Sequence, residues 1–247
     1  MTTLVVTGGS RGIGAAVCVA AAAAGWDVVV DYARDADRAA DVVRRIEDAG
    51  GHALAVRADV GDPAAVEDLF AAADAWRGPI SGLVNNAGIS GGQARVDEVG
   101  AEALQQVLAV NVVGPFLCAG AAVRRMSTRH GGSGGSIVNI SSRAAVLGSP
   151  GEFVHYAATK SALDTLTVGL AGEVATEGVR VNGIAVGLID TDFHDATGEA
   201  GRADRIRPTI PMKRSGTAEE VAAAVVWLLS DAASYTTGTT LAVSGGR

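Results

Sequence analysis

Tyr156 and Lys160 stand four residues apart in Tyr156-Ala157-Ala158-Thr159-Lys160, so a helix would put both on one face. A phenol with a pKa of about 10 is a poor base at neutral pH, and a nearby ammonium favours its ionised form. Such a pair can pass a proton to or from an alcohol or carbonyl oxygen. Upstream, Ile137-Val138-Asn139-Ile140 reads as a strand whose end presents Ser141 and Ser142, either of which could hold the same oxygen. Taken alone, a Tyr-x3-Lys pair is common, and an exposed helical pair is the simpler account. His155 and His194 are lone histidines that either face a substrate or sit on the surface. Neither has metal-ligand spacing around it, so no metal site is expected.

A second set of residues points to phosphate. Thr7-Gly8-Gly9-Ser10-Arg11-Gly12-Ile13-Gly14 lies between a short apolar run and an Ala-rich helical stretch. Glycines at Gly8, Gly12 and Gly14 allow a tight turn that brings backbone close to a pyrophosphate at the positive end of a helix. Ser10, Arg11 and Ile13 belong to the same loop. Asp59 and Val60, then Asn86, Ala87 and Gly88, come after two further strand ends and should line the adenine and ribose side. Asp59 could equally be a loop carboxylate satisfied by backbone amides. At the end of the second strand, Asp31 favours NAD through the ribose hydroxyl, whereas Arg34 and Arg11 favour the 2'-phosphate of NADP. Two converging guanidiniums tip the reading to NADP, with NAD possible. The plain alternative for Arg34 is a solvated charge.

These residues need a scaffold. Apolar runs at Leu4-Val6, Val28-Val30, Ala53-Val56, Gly82-Val84, Ser136-Ile140, Val179-Ala185 and Thr239-Val243 alternate with helical stretches. Near-continuous apolar strands predict an α/β, doubly wound (Rossmann) fold: a seven-stranded parallel sheet with helices on both faces. With 48% hydrophobic residues, 247 residues suffice for one core and a single NAD(P)-binding domain over 1–247. The charged stretch at about 188–210, with Gly198 and Gly201, is expected to form a substrate lid. Gly131 to Gly135 is expected to be a surface turn.

The net charge of −7 speaks against nucleic acid or an anionic membrane as partner. No basic segment precedes the first apolar run, so export is not expected. The apolar stretch Ala15 to Ala24 is about half a membrane span. Cys18 and Cys118 are far apart in apolar patterns and are expected to be buried thiols in a reducing, cytoplasmic setting.

Read together, the Thr7–Gly14 loop, Asn85-Asn86-Ala87-Gly88, Asn111 in Asn111-Val112-Val113-Gly114, Ser142 and Tyr156 with Lys160 resemble the short-chain dehydrogenase/reductase family along essentially the whole chain. The resemblance implies an oxidoreductase that interconverts an alcohol and a carbonyl on a small molecule by hydride transfer. It implies Tyr156 as acid/base, Lys160 as the group that lowers its pKa and grips the nicotinamide ribose, Ser142 as the group that orients the substrate oxygen, and Asn111 as holder of a relay water. Gly187, Ile189 and Thr191 complete the implied cofactor contacts, Thr191 at the carboxamide. Two departures stand out. Ser142 lies fourteen residues before Tyr156, where the family has thirteen, which points to an extra residue around Ser149 to Glu152. Val186 stands where the family has proline before Gly187.

Within the family, the chain is similar to bacterial glucose-type sugar dehydrogenases and to 3-oxoacyl-carrier-protein reductases. Arg129 suits an acidic carrier protein, but Glu177 stands where a second arginine is expected, which favours a free small molecule. A catalytically silent nucleotide-binding regulator is the alternative from outside the enzymes. Apolar stripes over Ala101 to Met126 (Leu104, Leu108, Val112, Phe116, Val123) and His155 to Thr176 (Leu163, Leu166, Leu170, Val174) predict a homotetramer. The resemblance implies a second axis at Glu219 to Leu229 and Thr239 to Val243.

Overall fold

The computed structural model describes residues 2–191 and 201–247. Among these, seven parallel strands form one sheet: β1 (Thr3–Val6), β2 (Asp27–Tyr32), β3 (His52–Arg57), β4 (Ile80–Asn85), β5 (Gly135–Ser142), β6 (Val179–Val186) and β7 (Thr240–Val243), in the order β3-β2-β1-β4-β5-β6-β7. Each expected run became a strand, and in the central strands the Val, Ile and Leu side chains are covered from both faces, whereas β7 at the sheet edge stays partly exposed. All four residues of β1 are buried, as are Asp27 to Asp31 of β2. The chain winds outward from β1 to β3, then returns and winds the other way from β4, so a crevice opens at the carboxyl ends of β1 and β4.

Helices α1 (Gly12–Ala23), α2 (Ala36–Asp48) and α9 (Ala218–Leu229) bring Val17, Val42 and Val225 into the core on one face. On the other, α3 (Pro63–Trp76), α5 (Gly114–Met126) and α7 (Val154–Val174) bury Phe70, Cys118 and Ala171. Helix starts are closed by side chains where the sequence supplies them. Asp35 accepts from Arg38 N (3.0 Å), Asp62 from Ala64 N (3.0 Å), and Thr217 with Glu220 forms a capping box. A buried polar thread ties the sheet to α7: Asn85 Nδ2 donates to Asn139 Oδ1 (2.9 Å), and Asn139 Nδ2 donates to Thr167 Oγ1 (2.9 Å).

The long helical stretch at 101–126 is α4 (Ala101–Leu108), a wide π turn (Ala109–Val113) and α5 in unbroken succession. By length and composition this run could cross a membrane, a property that the apolar pattern of the sequence suggests testing only at Ala15 to Ala24. Its inner face is occupied, with Val107, Cys118, Ala122 and Met126 fully buried in the chain's own core. The spare apolar surface is distributed differently from expectation. Leu163, Leu166 and Val174 are used up by α7's own packing, whereas Leu104, Leu108, Val113, Phe116 and Val168 are exposed.

The expected lid falls partly on 192–200, outside the described residues. The segment just before it is held to the body, as Gly216 N donates to Leu188 O (2.9 Å) and Asp190 N to Gly216 O (3.0 Å). Beyond it lie α8 (Arg202–Ile206) and a 3-10 turn (Arg207–Thr209), with Ile206 and Ile210 packed on Leu188.

Candidate active site

The loop after β1 is built for close backbone approach. Gly8 adopts φ 61° and Gly12 φ 53°, and a Cβ on Gly14 would lie 2.3 Å from Gly8 O. Thr7 and Asn86 clip this loop to the end of β4: Asn86 N and Ala87 N both donate to Thr7 Oγ1 (3.0 Å), and Asn86 Nδ2 donates to Thr7 O (2.9 Å) and Gly8 O (3.0 Å). Unlike α2, α3 and α9, α1 starts with Arg11 and receives no cap from a described side chain, nor has it an acid in its first turn. Its first amides are therefore left to an outside anion.

This end opens into a cavity of about 550 Å³ that runs across the carboxyl ends of the strands. Every residue expected at the site lines it except Gly14 and Asn111. Thr191 stands beside the glycine loop, since a Cβ on Gly12 would lie 3.4 Å from its Cγ2. Asp59 is exposed and accepts from Gly61 N (3.0 Å), in line with the plainer reading of it as a loop carboxylate, while still facing the cavity.

Asp31 lines the cavity and is also tied to the glycine loop. It lies within β2, is 1% exposed, and its Oδ2 accepts from Gly8 N at 3.0 Å from beneath the loop. Its Oδ1 has no partner among the described residues, and burial pushes its pKa up to about 7. Arg11 and Arg34 are exposed at the same edge of the cavity.

At the other end, Ser142 closes β5 and is hydrogen-bonded to the Tyr156 hydroxyl near the start of α7. Ser141 points the opposite way, as alternation along a strand requires, and donates to Lys160 O at 3.3 Å. Between Ser142 and Tyr156 lie α6 (Ala144–Leu147) and a tight turn in which Gly148, Ser149 and Gly151 all have positive φ. Lys160 is 4% exposed; its Nζ donates to Ile140 O (2.8 Å) and stands 5.6 Å from the Tyr156 ring centroid.

Burial dominates the protonation of both groups. Burial pushes the Tyr156 phenol up to about 12, opposed by the Ser142 hydrogen bond and the positive charge of Arg202. Burial also pulls Lys160 down to about 8, opposed by Asp164. Lys160 Nζ is held by Ile140 O beside the Tyr156 ring.

Asn111 sits in the π turn, 1% exposed, and its side chain is fully engaged by protein. Oδ1 accepts from Ile89 N (2.9 Å), and Nδ2 donates to Ile89 O (2.8 Å) and Thr159 Oγ1 (3.1 Å). It braces the loop after β4 against α7. His155 does not face the cavity; it is 7% exposed and its Nε2 bonds Ser90 O at 2.9 Å. His194 lies outside the described residues. Glu177 is spent on Ser127 and on Arg129, 3.9 Å away. Both cysteines are buried and unbridged, and burial pushes both thiols up.

Among the cavity residues that sequence reasoning does not single out are three arginines: Arg143, Arg202 and Arg247. Arg143 comes directly after Ser142, and that adjacency is its one available signal. Arg202 falls in the stretch expected to cover the site, and Arg247 comes from a segment distant in the chain that only the fold brings to this cavity.

The architecture and motifs have known counterparts. The family profile described as "Enoyl-(Acyl carrier protein) reductase" matches residues 8–247. The chain is 50% identical to "Uncharacterized oxidoreductase YgfF" of Escherichia coli (strain K12) over all of both chains. It is 43% identical to "3beta-hydroxysteroid dehydrogenase 1" of Eggerthella lenta, covering 99% of this chain and 92% of that one. A solved short chain dehydrogenase from Burkholderia cenocepacia J2315 in complex with NADP superposes with a TM-score of 0.92 at 35% identity, covering 99% of this chain and 97% of that one. On a profile match of this extent and identities of this size over nearly full length, the chain belongs to the short-chain dehydrogenase/reductase family of oxidoreductases.

Proposed function

We propose that this chain interconverts an alcohol and a carbonyl on a free small molecule with NADP(H), using Tyr156, Lys160 and Ser142, with Asn111 as a positioning residue. The observation that carries the reading is the Ser142–Tyr156 hydrogen bond, which lies in the same cavity as the uncapped start of α1. The residues present fit a dinucleotide. Gly8, Gly12 and the first amides of α1 would hold its pyrophosphate, Asp59 and Val60 its adenine side, and Gly187, Ile189 and Thr191 its nicotinamide side. When bound, the nicotinamide gives or takes the hydride.

The chain's own residues handle the oxygen and the proton. Ser142 holds the substrate oxygen against the Tyr156 hydroxyl. With its pKa raised, Tyr156 keeps its proton at neutral pH and gives it to a carbonyl oxygen; in the reverse direction it must first lose that proton. Lys160 fixes the lower side of the ring, and Asn111 fixes the loop opposite.

NADP is favoured over NAD because Asp31 is turned under the loop while Arg11 and Arg34 stand open at the adenosine end. A free substrate is favoured over a carrier-bound one because Glu177, 3.9 Å from Arg129, puts a negative charge where a second arginine would serve an acidic partner. We further read the chain as one domain over 1–247, working in the cytoplasm as a homotetramer through the exposed side chains of α4, α5 and α7. The test is nicotinamide absorbance with a panel of sugars, ketones and acyl thioesters and both cofactors. NADPH-dependent reduction of a free carbonyl compound is expected, and activity confined to acyl carrier thioesters would overturn the substrate assignment.

A further inference from the structure

The substrate end of the cavity is ringed by positive charge, although the chain as a whole is acidic at −7. Arg202, on α8, has a side chain only 14% exposed, lies 5.1 Å over the Phe153 ring, and pairs with Glu152 Oε2 at 3.2 Å. Arg205 takes the other oxygen of the same carboxylate, Oε1, at 2.6 Å. Burial raises Glu152, but hydrogen bonds from Arg205 and Arg202 outweigh it and hold this carboxylate below its ordinary value. Glu152 is thus already shared between two cations.

Arg247 adds a third. It lines the cavity, and among the described residues no acidic side chain pairs with its guanidinium. Its main-chain oxygen accepts from Arg143 Nε (2.6 Å) and Ser244 Oγ (2.9 Å), so its backbone is anchored at the rim. Burial and the nearby Arg202 and Arg205 pull Arg247 below the ordinary arginine value, with Glu152 opposing. With Glu152 already shared by Arg202 and Arg205, Arg247 adds a like charge to the cavity that Arg202 also lines, and an incoming anion would relieve that repulsion. The cluster shares a cavity with the reacting group, since Arg202 and Arg247 line it together with Ser142 and Tyr156.

We propose that the substrate carries an oxyanion, a carboxylate or a phosphoryl group, bound by Arg202 and Arg247 while its carbonyl or hydroxyl oxygen lies against Ser142 and Tyr156. A planar guanidinium suits both anions by paired hydrogen bonds. This rests on the oxidoreductase reading for the position of the reacting oxygen, and its test is separable from that reading.

Isothermal titration of the NADPH-saturated protein with malonate, inorganic phosphate and neutral malonamide reads the site without turnover. At least one anion is expected to bind about tenfold or more tightly than malonamide, and whichever of malonate and phosphate wins names the anion. Arg247→Met is expected to weaken it about tenfold and Arg247→Lys by less, with NADPH affinity unchanged within about twofold. Arg247→Met leaves the Arg202–Glu152–Arg205 group intact, so a loss in this variant, with an unaltered melting temperature, reports the charge and not the fold. Equal affinity for malonamide, no saturation by either anion up to about 50 mM, or unchanged binding in Arg247→Met overturns the proposal. Separately, reduction of ethyl acetoacetate tests the enzyme reading, and its failure would leave the anion measurement standing by itself.

Discussion

Ser142 reaches Tyr156 by a hydrogen bond that runs from the last residue of β5 to the first turn of α7, while the adjacent Ser141 faces Lys160 O on the other side of the strand. Strand alternation therefore decides which serine can share a substrate oxygen with the phenol. Tyr156→Phe is expected to keep NADPH affinity within about twofold and lower turnover about a thousandfold, with Ser142→Ala costing about a hundredfold and Ser141→Ala far less. Steady-state rates with any reducible carbonyl compound check this. A Ser141→Ala loss larger than that of Ser142→Ala would reverse the assignment.

The raised phenol also sets a direction-dependent pH profile. Reduction needs the Tyr156 proton in place, so kcat/KM for a carbonyl is expected to stay level from about pH 6 to 9. Oxidation needs the proton gone, so kcat/KM for the alcohol is expected to climb about tenfold per pH unit over the same range. A flat oxidation profile, with hydride transfer shown to be rate-limiting by a deuterium isotope effect, would remove Tyr156 as the base.

At the adenosine end, NADPH is expected to bind more tightly than NADH, and Arg34→Ala to narrow the gap by about tenfold. Fluorescence titration of both nucleotides measures it. An NADH preference in the wild type would mean that Asp31 turns outward when nucleotide binds.

Asp31 makes a second, independent prediction about stability. Burial holds its folded pKa at about 7, above the unfolded value of about 3.9, so the fold binds this proton more tightly than the open chain does. Its contribution is fully present below about pH 4 and is lost as pH rises through 7. Asp31→Asn keeps an acceptor for Gly8 N without the titration. Its melting temperature is expected to exceed the wild type's by several degrees at pH 8, the difference closing toward pH 4. A variant less stable at both pH values would show that the ionised carboxylate is needed under the loop.

Assembly rests on Phe116 and Val168, which are 52% and 59% exposed on α5 and α7. Light scattering coupled to size exclusion is expected to give about four chains of 24.7 kDa. Phe116→Glu should lower that number without unfolding the chain, and a wild-type mass of one chain would refute the tetramer.

The sheet is legible in the sequence because strands buried on both faces leave long Val, Ile and Leu runs, and the glycine loop because Gly8, Gly12 and Gly14 have a backbone job that other residues do badly. Orientation is less legible. Asp31 pairs with Val56 inside the ladder, so its side chain follows the pleat under the loop and not the end of the strand. His155 precedes Tyr156 by one residue and, at a helical step, points into the core. The leucines of α7 give no sign that their own sheet consumes them while Val168 stays outside. Arg202 and Arg247 carry no motif at all, because what joins them is the folding of distant segments onto one rim.

The reversal of winding between β1 and β4 has a further consequence for how this molecule can change. Residues proposed to choose the nucleotide, such as Arg34, come after β2 on one side of that reversal, whereas those proposed to meet the substrate, such as Ser142 and Arg202, belong to β5 and the segment beyond β6 on the other. The two preferences share a cavity but few neighbours, so alterations on one side should combine nearly additively with alterations on the other. That separation makes the scaffold modular: it can be given a new coenzyme or a new substrate one at a time, by selection or by design, without reopening the half already solved.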